Sequence, residues 1–332
     1  MAHPAIPIDV LNRFERACET TLPLWDIKFQ RLCMLYEWFV GAGLADDHFD
    51  QHLVAAETYW QRLSEMLVAF KLMRAGCRLS SHSAGPDLWV QKGNCSFWIE
   101  VITPRPEGVD AVYLSQKGAS PDGLLSVPMD QLLRRWTQAI DAKAGALMGT
   151  RDGKNLGYLQ KGYVHPNEPY VIAVNGRHLR GPAGIGFNGC STSPCAVEVL
   201  FALGPLQIRF DRMGKSDDHF RFSGIRRSRR PEIQSPNNSP ISLTTFLDAN
   251  FAPISAVWAM DIDETELLLD PPWPSIERNY FASAGVFNPL ANNPLRVGDF
   301  PTFEDWTCEI TGDAYQLMHY NRIPFRPSEL SI

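Results

Sequence analysis

Two acidic residues stand out by their surroundings. Asp87 follows Gly85-Pro86 and opens a short apolar run, Asp87-Leu88-Trp89-Val90. Glu100 lies inside a second run, Ser96-Phe97-Trp98-Ile99-Glu100-Val101-Ile102. A carboxylate among aromatic and β-branched residues is costly to bury unless it is paired or bound to a cation. Two adjacent strands can bring such carboxylates together beneath one divalent ion. Mg²⁺ prefers hard oxygen ligands and keeps several waters, so two carboxylates and a backbone carbonyl are enough to hold it. The alternative for Glu100 is a water-facing place on an edge strand, with no chemical role.

The elements that would position this pair follow from periodicity. Residues 8–40 read as mostly helical with a break at Pro23, which removes a backbone donor and clashes with the preceding turn. A longer helix is expected over 50–74, where Leu63, Met66, Leu67, Phe70 and Met73 form an apolar stripe and Gly76 is a natural stop. A short strand is expected near 77–80. The two runs holding Asp87 and Glu100 read as strands, being rich in aromatic and β-branched residues. A helix follows over about 128–148, then a strand over 170–174 closed by Asn175-Gly176. Beyond it, 198–210 and 255–260 read as strands and 223–240 as an exposed polar loop. The remainder, with Pro271, Pro272, Pro274, Pro289, Pro294 and Pro301, reads as irregular.

Pro86-Asp87, twelve intervening residues and then Glu100 resembles the PD-(D/E)XK motif of the restriction-endonuclease-like nucleases. The order of elements around it, αβββαβ, is also that of the superfamily core. The resemblance covers residues 50–176. It implies an α/β fold with a mixed central sheet; outside it, 1–49 reads as an N-terminal helical extension and 177–332 as an irregular C-terminal extension with further strands and Pro-rich loops, packed on the core. It further implies metal-dependent hydrolysis of nucleic acid, DNA first, with Mg²⁺ (or Mn²⁺) held by Asp87, Glu100 and the Val101 carbonyl. Glu65, on the preceding helix, matches the glutamate that often joins the metal site in this superfamily.

One position departs from the motif. The family's lysine lies two residues after the acid, and Ile102 stands there. Strand alternation puts Ile102 on the face of Glu100, so an apolar side chain takes the cation's place. In some members the lysine sits on another element, and Lys143 on the following helix is the best candidate here. It shares a helix face with Ala139 and Trp136. The alternative for Lys143 is a side chain snorkelling at the helix rim. Lys71 and Lys92 are weaker candidates. If no cation reaches the pair, the second functional class is a non-catalytic nuclease-like domain that binds nucleic acid or protein.

Arg134 and Arg135 precede Lys143 by about two turns and could line the same groove. Arg226, Arg227, Arg229 and Arg230 form a basic cluster suited to phosphate, which arginine binds in a forked geometry. The alternative for that cluster is a solvated loop. His48 and His52 have HxxxH spacing but lack the intervening glutamate of a zinc protease, so a frayed helix start is expected. Gly181 to Gly186 lacks the ending of a P-loop and reads as a flexible loop.

Composition bounds the rest. The 332 residues are 45% hydrophobic and 20% charged, as in an ordinary globular protein. A net charge of −6 argues against indiscriminate binding along a polyanion but leaves room for a local basic groove. The start of the sequence lacks a basic segment followed by an apolar run, and no stretch approaches the ~20 apolar residues of a membrane helix. Seven dispersed cysteines without a CxxC pair favour reduced thiols. A cytoplasmic protein is expected, and a homodimer is compatible with the sequence.

Overall fold

The computed structural model describes residues 6–19, 24–82, 84–115, 126–150, 153–181, 186–212, 220–268, 283–312 and 314–321. The N-terminal part is helical: α1 (Ile8–Cys18), α2 (Trp25–Gly41), α3 (Phe49–Val54) and α4 (Tyr59–Arg74). Pro23 lies outside the described residues, but α1 and α2 end and begin on either side of it. The single helix expected over 50–74 is two. Ala55 is extended (φ −72°, ψ 131°), and the Thr58 hydroxyl donates to the His52 carbonyl at 2.5 Å, which turns the chain between α3 and α4.

Three antiparallel strands follow, β1 (Arg78–Ser80), β2 (Leu88–Lys92) and β3 (Cys95–Ile102). After the single-turn helix α5 (Ala111–Leu114), the long helix α6 (Met129–Met148) crosses over the sheet. The single-turn α7 (Tyr158–Lys161) then leads to β4 (Tyr170–Asn175), which pairs parallel to β3. A parallel pair needs a crossover connection, and α6 supplies it. All six residues of β4 are buried, as a central strand covered on both faces requires.

Next come α8 (Cys195–Phe201), β5 (Leu203–Arg212), β6 (Phe220–Arg229), β7 (Glu232–Gln234), β8 (Pro240–Ser242), β9 (Ala256–Met260), β10 (Ser283–Phe287), β11 (Glu304–Thr311) and β12 (Ala314–Asn321). The main sheet has eight strands in the order β1-β2-β3-β4-β9-β10-β11-β12. It is mixed: β4–β9 and β10–β11 are parallel, while β9–β10 and β11–β12 are antiparallel.

Three expectations for this region are corrected. The remainder, expected to be irregular, supplies β10, β11 and β12 of the main sheet. The first part of the strand expected over 198–210 is the helix α8. Its β-branched Val197 and Val199 suggest a strand, but all seven of its residues are buried, so no polar face marks it as helical. The polar stretch 223–240 is not a loop. Its first part is β6, which pairs with β5 in a separate two-stranded ribbon.

The sheet divides two apolar layers. Phe97, Ile99 and Val101 of β3 pack with α1, α2 and α4 on one side. Trp98 of β3 packs with α6 and α8 on the other, and Ile102 adjoins that cluster. A buried polar network ties the layers at the ends of the parallel strands. The Asn175 side-chain amide donates to Ser64 Oγ (2.8 Å) and the Ile262 carbonyl (2.9 Å), while its oxygen accepts from the Ile262 N–H (3.1 Å). The Thr103 hydroxyl also donates to Ser64 Oγ at 2.7 Å. Gly176 follows directly, and a Cβ there would stand 2.6 Å from Trp136 Cζ2, so only glycine lets α6 lie this close. Among the described residues, no helix is long and apolar enough to cross a membrane.

Candidate active site

Glu100 does not sit on an edge. It lies in a strand with neighbours on both sides and is 4% exposed. Alternation along β3 turns it toward α6, while Phe97, Ile99 and Val101 face α4. Asp87 precedes β2, whose Leu88 pairs with Ile99, so the register brings Asp87 beside Glu100. The Val101 N–H donates to Asp87 Oδ2 at 2.7 Å. The two carboxylates expected from the sequence therefore lie on neighbouring chain segments, close enough for Glu100 to feel the charge of Asp87.

Lys143 reaches this pair. It extends from α6, and its Nζ donates to Glu100 Oε1 at 2.6 Å. The tyrosine Tyr158, from α7, donates to the same oxygen at 3.3 Å. Ile102 lies beside the apolar cluster on that face of the sheet, so no cation stands two residues after Glu100. The other lysine candidates are elsewhere: Lys71 pairs with Glu266 at 2.8 Å, and Lys92 ends β2.

Glu65 stands on α4, 5% exposed; it feels the charge of Asp87, and Glu100 feels its charge. Two residues not singled out from the sequence hold it. Arg62 pairs with Glu65 Oε2 and with Asp46, each at 2.8 Å. Gln61 donates to Glu65 Oε1 and to the Val101 carbonyl, each at 3.0 Å, and its own oxygen accepts from the Thr103 N–H at 2.8 Å. Both lie three or four residues before Glu65, on its helix face, so helical spacing could have revealed them. Tyr158 carries no such signal, because it arrives on a one-turn helix after a loop. Asp46, Arg62, Glu65, His82 and Asp87 line a cleft.

The electrostatics are those of crowded acids. Burial, then the charge of Asp87, pushes the Glu100 carboxyl up to about 7 against the pull of Lys143. Burial and Asp87 also push Glu65 up to about 7 against Arg62 and Gln61. Burial raises Asp87 as well, opposed by Lys143, the Val101 N–H and Arg62. Burial disfavours the Lys143 ammonium, but Glu100 and Asp87 outweigh it, so the lysine holds its proton more tightly than usual. One lysine and one arginine thus face three carboxylates, and full ionisation of all three calls for more positive charge.

The donor set suits a hard divalent cation. Among the described residues, Glu100 Oε2 is buried without a hydrogen-bond partner. The Val101 carbonyl accepts from Gln61, and a carbonyl has two lone pairs. Among the described residues, no three His, Cys, Asp or Glu side chains group closely enough to hold a metal by themselves. Two carboxylates, a carbonyl and waters remain, which is the kind of shell Mg²⁺ accepts.

The remaining candidates lie apart from the pair. Arg134 and Arg135, in the first half of α6, do not share its groove. Arg134 donates to the Gly108 carbonyl (3.0 Å) and Arg135 to the Arg105 carbonyl (2.7 Å), and both line a second groove with Gln138 and Asn237. Arg226, Arg227 and Arg229 are exposed on β6, and Arg230, just after it, pairs with Asp130 at 2.5 Å. His48 immediately precedes α3 and His52 lies within it, with ring centroids 6.5 Å apart. Of the expected loop at Gly181–Gly186, residues 182–185 lie outside the described residues. Comparison with protein-family models, curated proteins and solved structures gave no match.

Proposed function

We propose that this protein is a divalent-metal-dependent phosphodiesterase acting on nucleic acid, DNA first, with a restriction-endonuclease-like core whose lysine has moved to α6. The observation that carries the reading is the 2.6 Å contact between Lys143 and Glu100, in a chain whose motif position holds Ile102. The order α4, β1–β3, α6, β4, with β3 and β4 parallel across α6, supports the same fold.

Asp87, Glu100 and the Val101 carbonyl would hold Mg²⁺ or Mn²⁺. Such an ion, when bound, polarises the phosphate and lowers the pKa of an attacking water. Lys143 keeps its proton, so its part is electrostatic: it offsets charge growing on the phosphate oxygens instead of acting as a base. Tyr158 and Lys143 together fix the Glu100 carboxylate through Oε1 and leave Oε2 free. Gln61 fixes the Val101 carbonyl and Glu65 relative to each other.

The test is cleavage of supercoiled plasmid, single-stranded DNA and RNA by the purified chain, with Mg²⁺, with Mn²⁺ and with chelator. Cleavage that requires the metal and disappears in Asp87→Ala is the expected result. Activity that survives Asp87→Ala would show that another site is responsible. No cleavage of any substrate would favour the non-catalytic binding module.

A further inference from the structure

The ribbon formed by β5 and β6 is not explained by the carboxylate site. Both strands are ten residues long, and they pair with each other in a sheet of their own. An isolated two-stranded ribbon is marginally stable in water. This one nonetheless exposes large apolar side chains: Ile208 is 58% exposed, Phe210 and Phe222 56% each, and Ile225 60%. The register puts Ile208 opposite Ile225 and, past an irregularity after Arg209, Phe210 opposite Phe222. Ile208 and Phe210 are two residues apart on β5, so they and the partners opposite them share one face. A contiguous exposed apolar strip of this kind marks a surface that meets a partner.

The charge says which partner. The two strands carry six arginines, at 209, 212, 221, 226, 227 and 229, against one acid, Asp211. The whole chain has a net charge of −6, so positive charge is concentrated on this arm. Self-pairing of two such arms would bring arginines against arginines. A polyanion with an apolar interior surface fits both properties, and duplex DNA is one. A two-stranded β-ribbon enters the B-DNA major groove, which is about 12 Å wide and lined by base edges and thymine methyl groups. The A-form RNA major groove is too narrow for side chains to read.

The arm is also tied to the helix that bears Lys143. At its root, Arg230 pairs with Asp130 in the first turn of α6. Lys143 lies thirteen residues further along that helix, roughly 20 Å at 1.5 Å per residue. One turn of B-DNA spans about 34 Å, so one duplex can meet both.

We infer that the β5–β6 ribbon is a DNA-binding arm that enters a duplex groove with its apolar face while its arginines take the bordering phosphates. This rests on the nucleic-acid reading above and narrows its substrate class to double-stranded DNA.

The test is binding of the whole 332-residue chain to fluorescent duplex DNA, single-stranded DNA and duplex RNA in chelator, across a salt series. Duplex DNA should bind best. Arg226→Ala/Arg227→Ala/Arg229→Ala should weaken duplex binding by about tenfold or more and lower the salt slope by about one for each phosphate no longer neutralised. The triple lysine variant should keep most of the slope. Ile208→Ser/Phe210→Ser should weaken binding with the slope unchanged. Unaltered circular dichroism would show that each variant folds. Equal duplex affinity of wild type and both alanine and serine variants would overturn the arm. So would a wild-type dimer that becomes monomeric in Ile208→Ser/Phe210→Ser with DNA binding intact, which would assign the face to a second copy. Binding to phosphatidylserine vesicles without DNA binding would overturn it in favour of a membrane. The cleavage assay is independent: absence of metal-dependent cleavage with arm-dependent binding intact removes the nuclease reading and leaves the arm.

Discussion

Glu100 is held in a state that protein atoms alone do not balance. Among the described residues, its Oε1 has two donors and its Oε2 has none. Glu65 and Glu100 are both pushed up to about 7, from about 4.3 for an unfolded glutamate. A carboxyl raised on folding adds stability below its unfolded pKa and loses it as pH rises through the folded value. The metal-free protein should therefore lose thermal stability as pH rises from about 5 to about 8. Saturating Mg²⁺ should oppose that loss, because a cation favours the ionised acids. Thermal melts in chelator and in Mg²⁺ across this range check both statements. A melting temperature in chelator that holds level or rises would contradict them. The residues forming this site are partly legible in the sequence. Asp87 and Glu100 announce themselves as acids in apolar runs, whereas Lys143 reads either as a cation facing inward on α6 or as one snorkelling at its rim. Tyr158 does not, since nothing local ties it to Glu100 58 residues away.

The elements around the site are joined by side chains that bond backbone across layers. Asn175, at the end of β4, is fully buried and links α4 to the residue after Asp261 beyond β9. Replacing it with alanine leaves the Ile262 N–H and carbonyl unpaired in the interior. Asn175→Ala should lower stability by at least about 2 kcal/mol in urea denaturation, given ~1–3 kcal/mol per unsatisfied buried group. A change under about 0.5 kcal/mol, the range of ordinary surface substitutions, would contradict this account of the network. An element with one polar and one apolar face is legible in the sequence, as α6 shows, and β3 is legible by its aromatic and β-branched composition although both of its faces are buried. The α8 helix is not, because burial all round erases its period. The β6 strand is hidden for another reason: arginine and serine dominate it, and only pairing with β5, most of which falls in the strand expected over 198–210, reveals it.

At the scale of the whole molecule, the chain after β4 completes the sheet instead of forming a second core. Main-chain pairing runs from β4 to β9 and on to β12, and Trp258 and Phe300 join the apolar layer built by α1 to α4. Unfolding should therefore be one cooperative transition, with calorimetric and van't Hoff enthalpies in agreement. Two resolved calorimetric transitions would contradict a shared core. The same continuity keeps α6 pressed on the sheet, and so places Lys143 at Glu100. The most direct measurement is the single-turnover rate of plasmid cleavage by Lys143→Met at saturating Mg²⁺, beside wild type, with DNA affinity measured in parallel. A fall of about 10²–10³-fold at unchanged affinity is the predicted result, the usual worth of one electrostatic stabiliser. A rate within twofold of wild type would contradict the claim that Lys143 has taken the place left by Ile102.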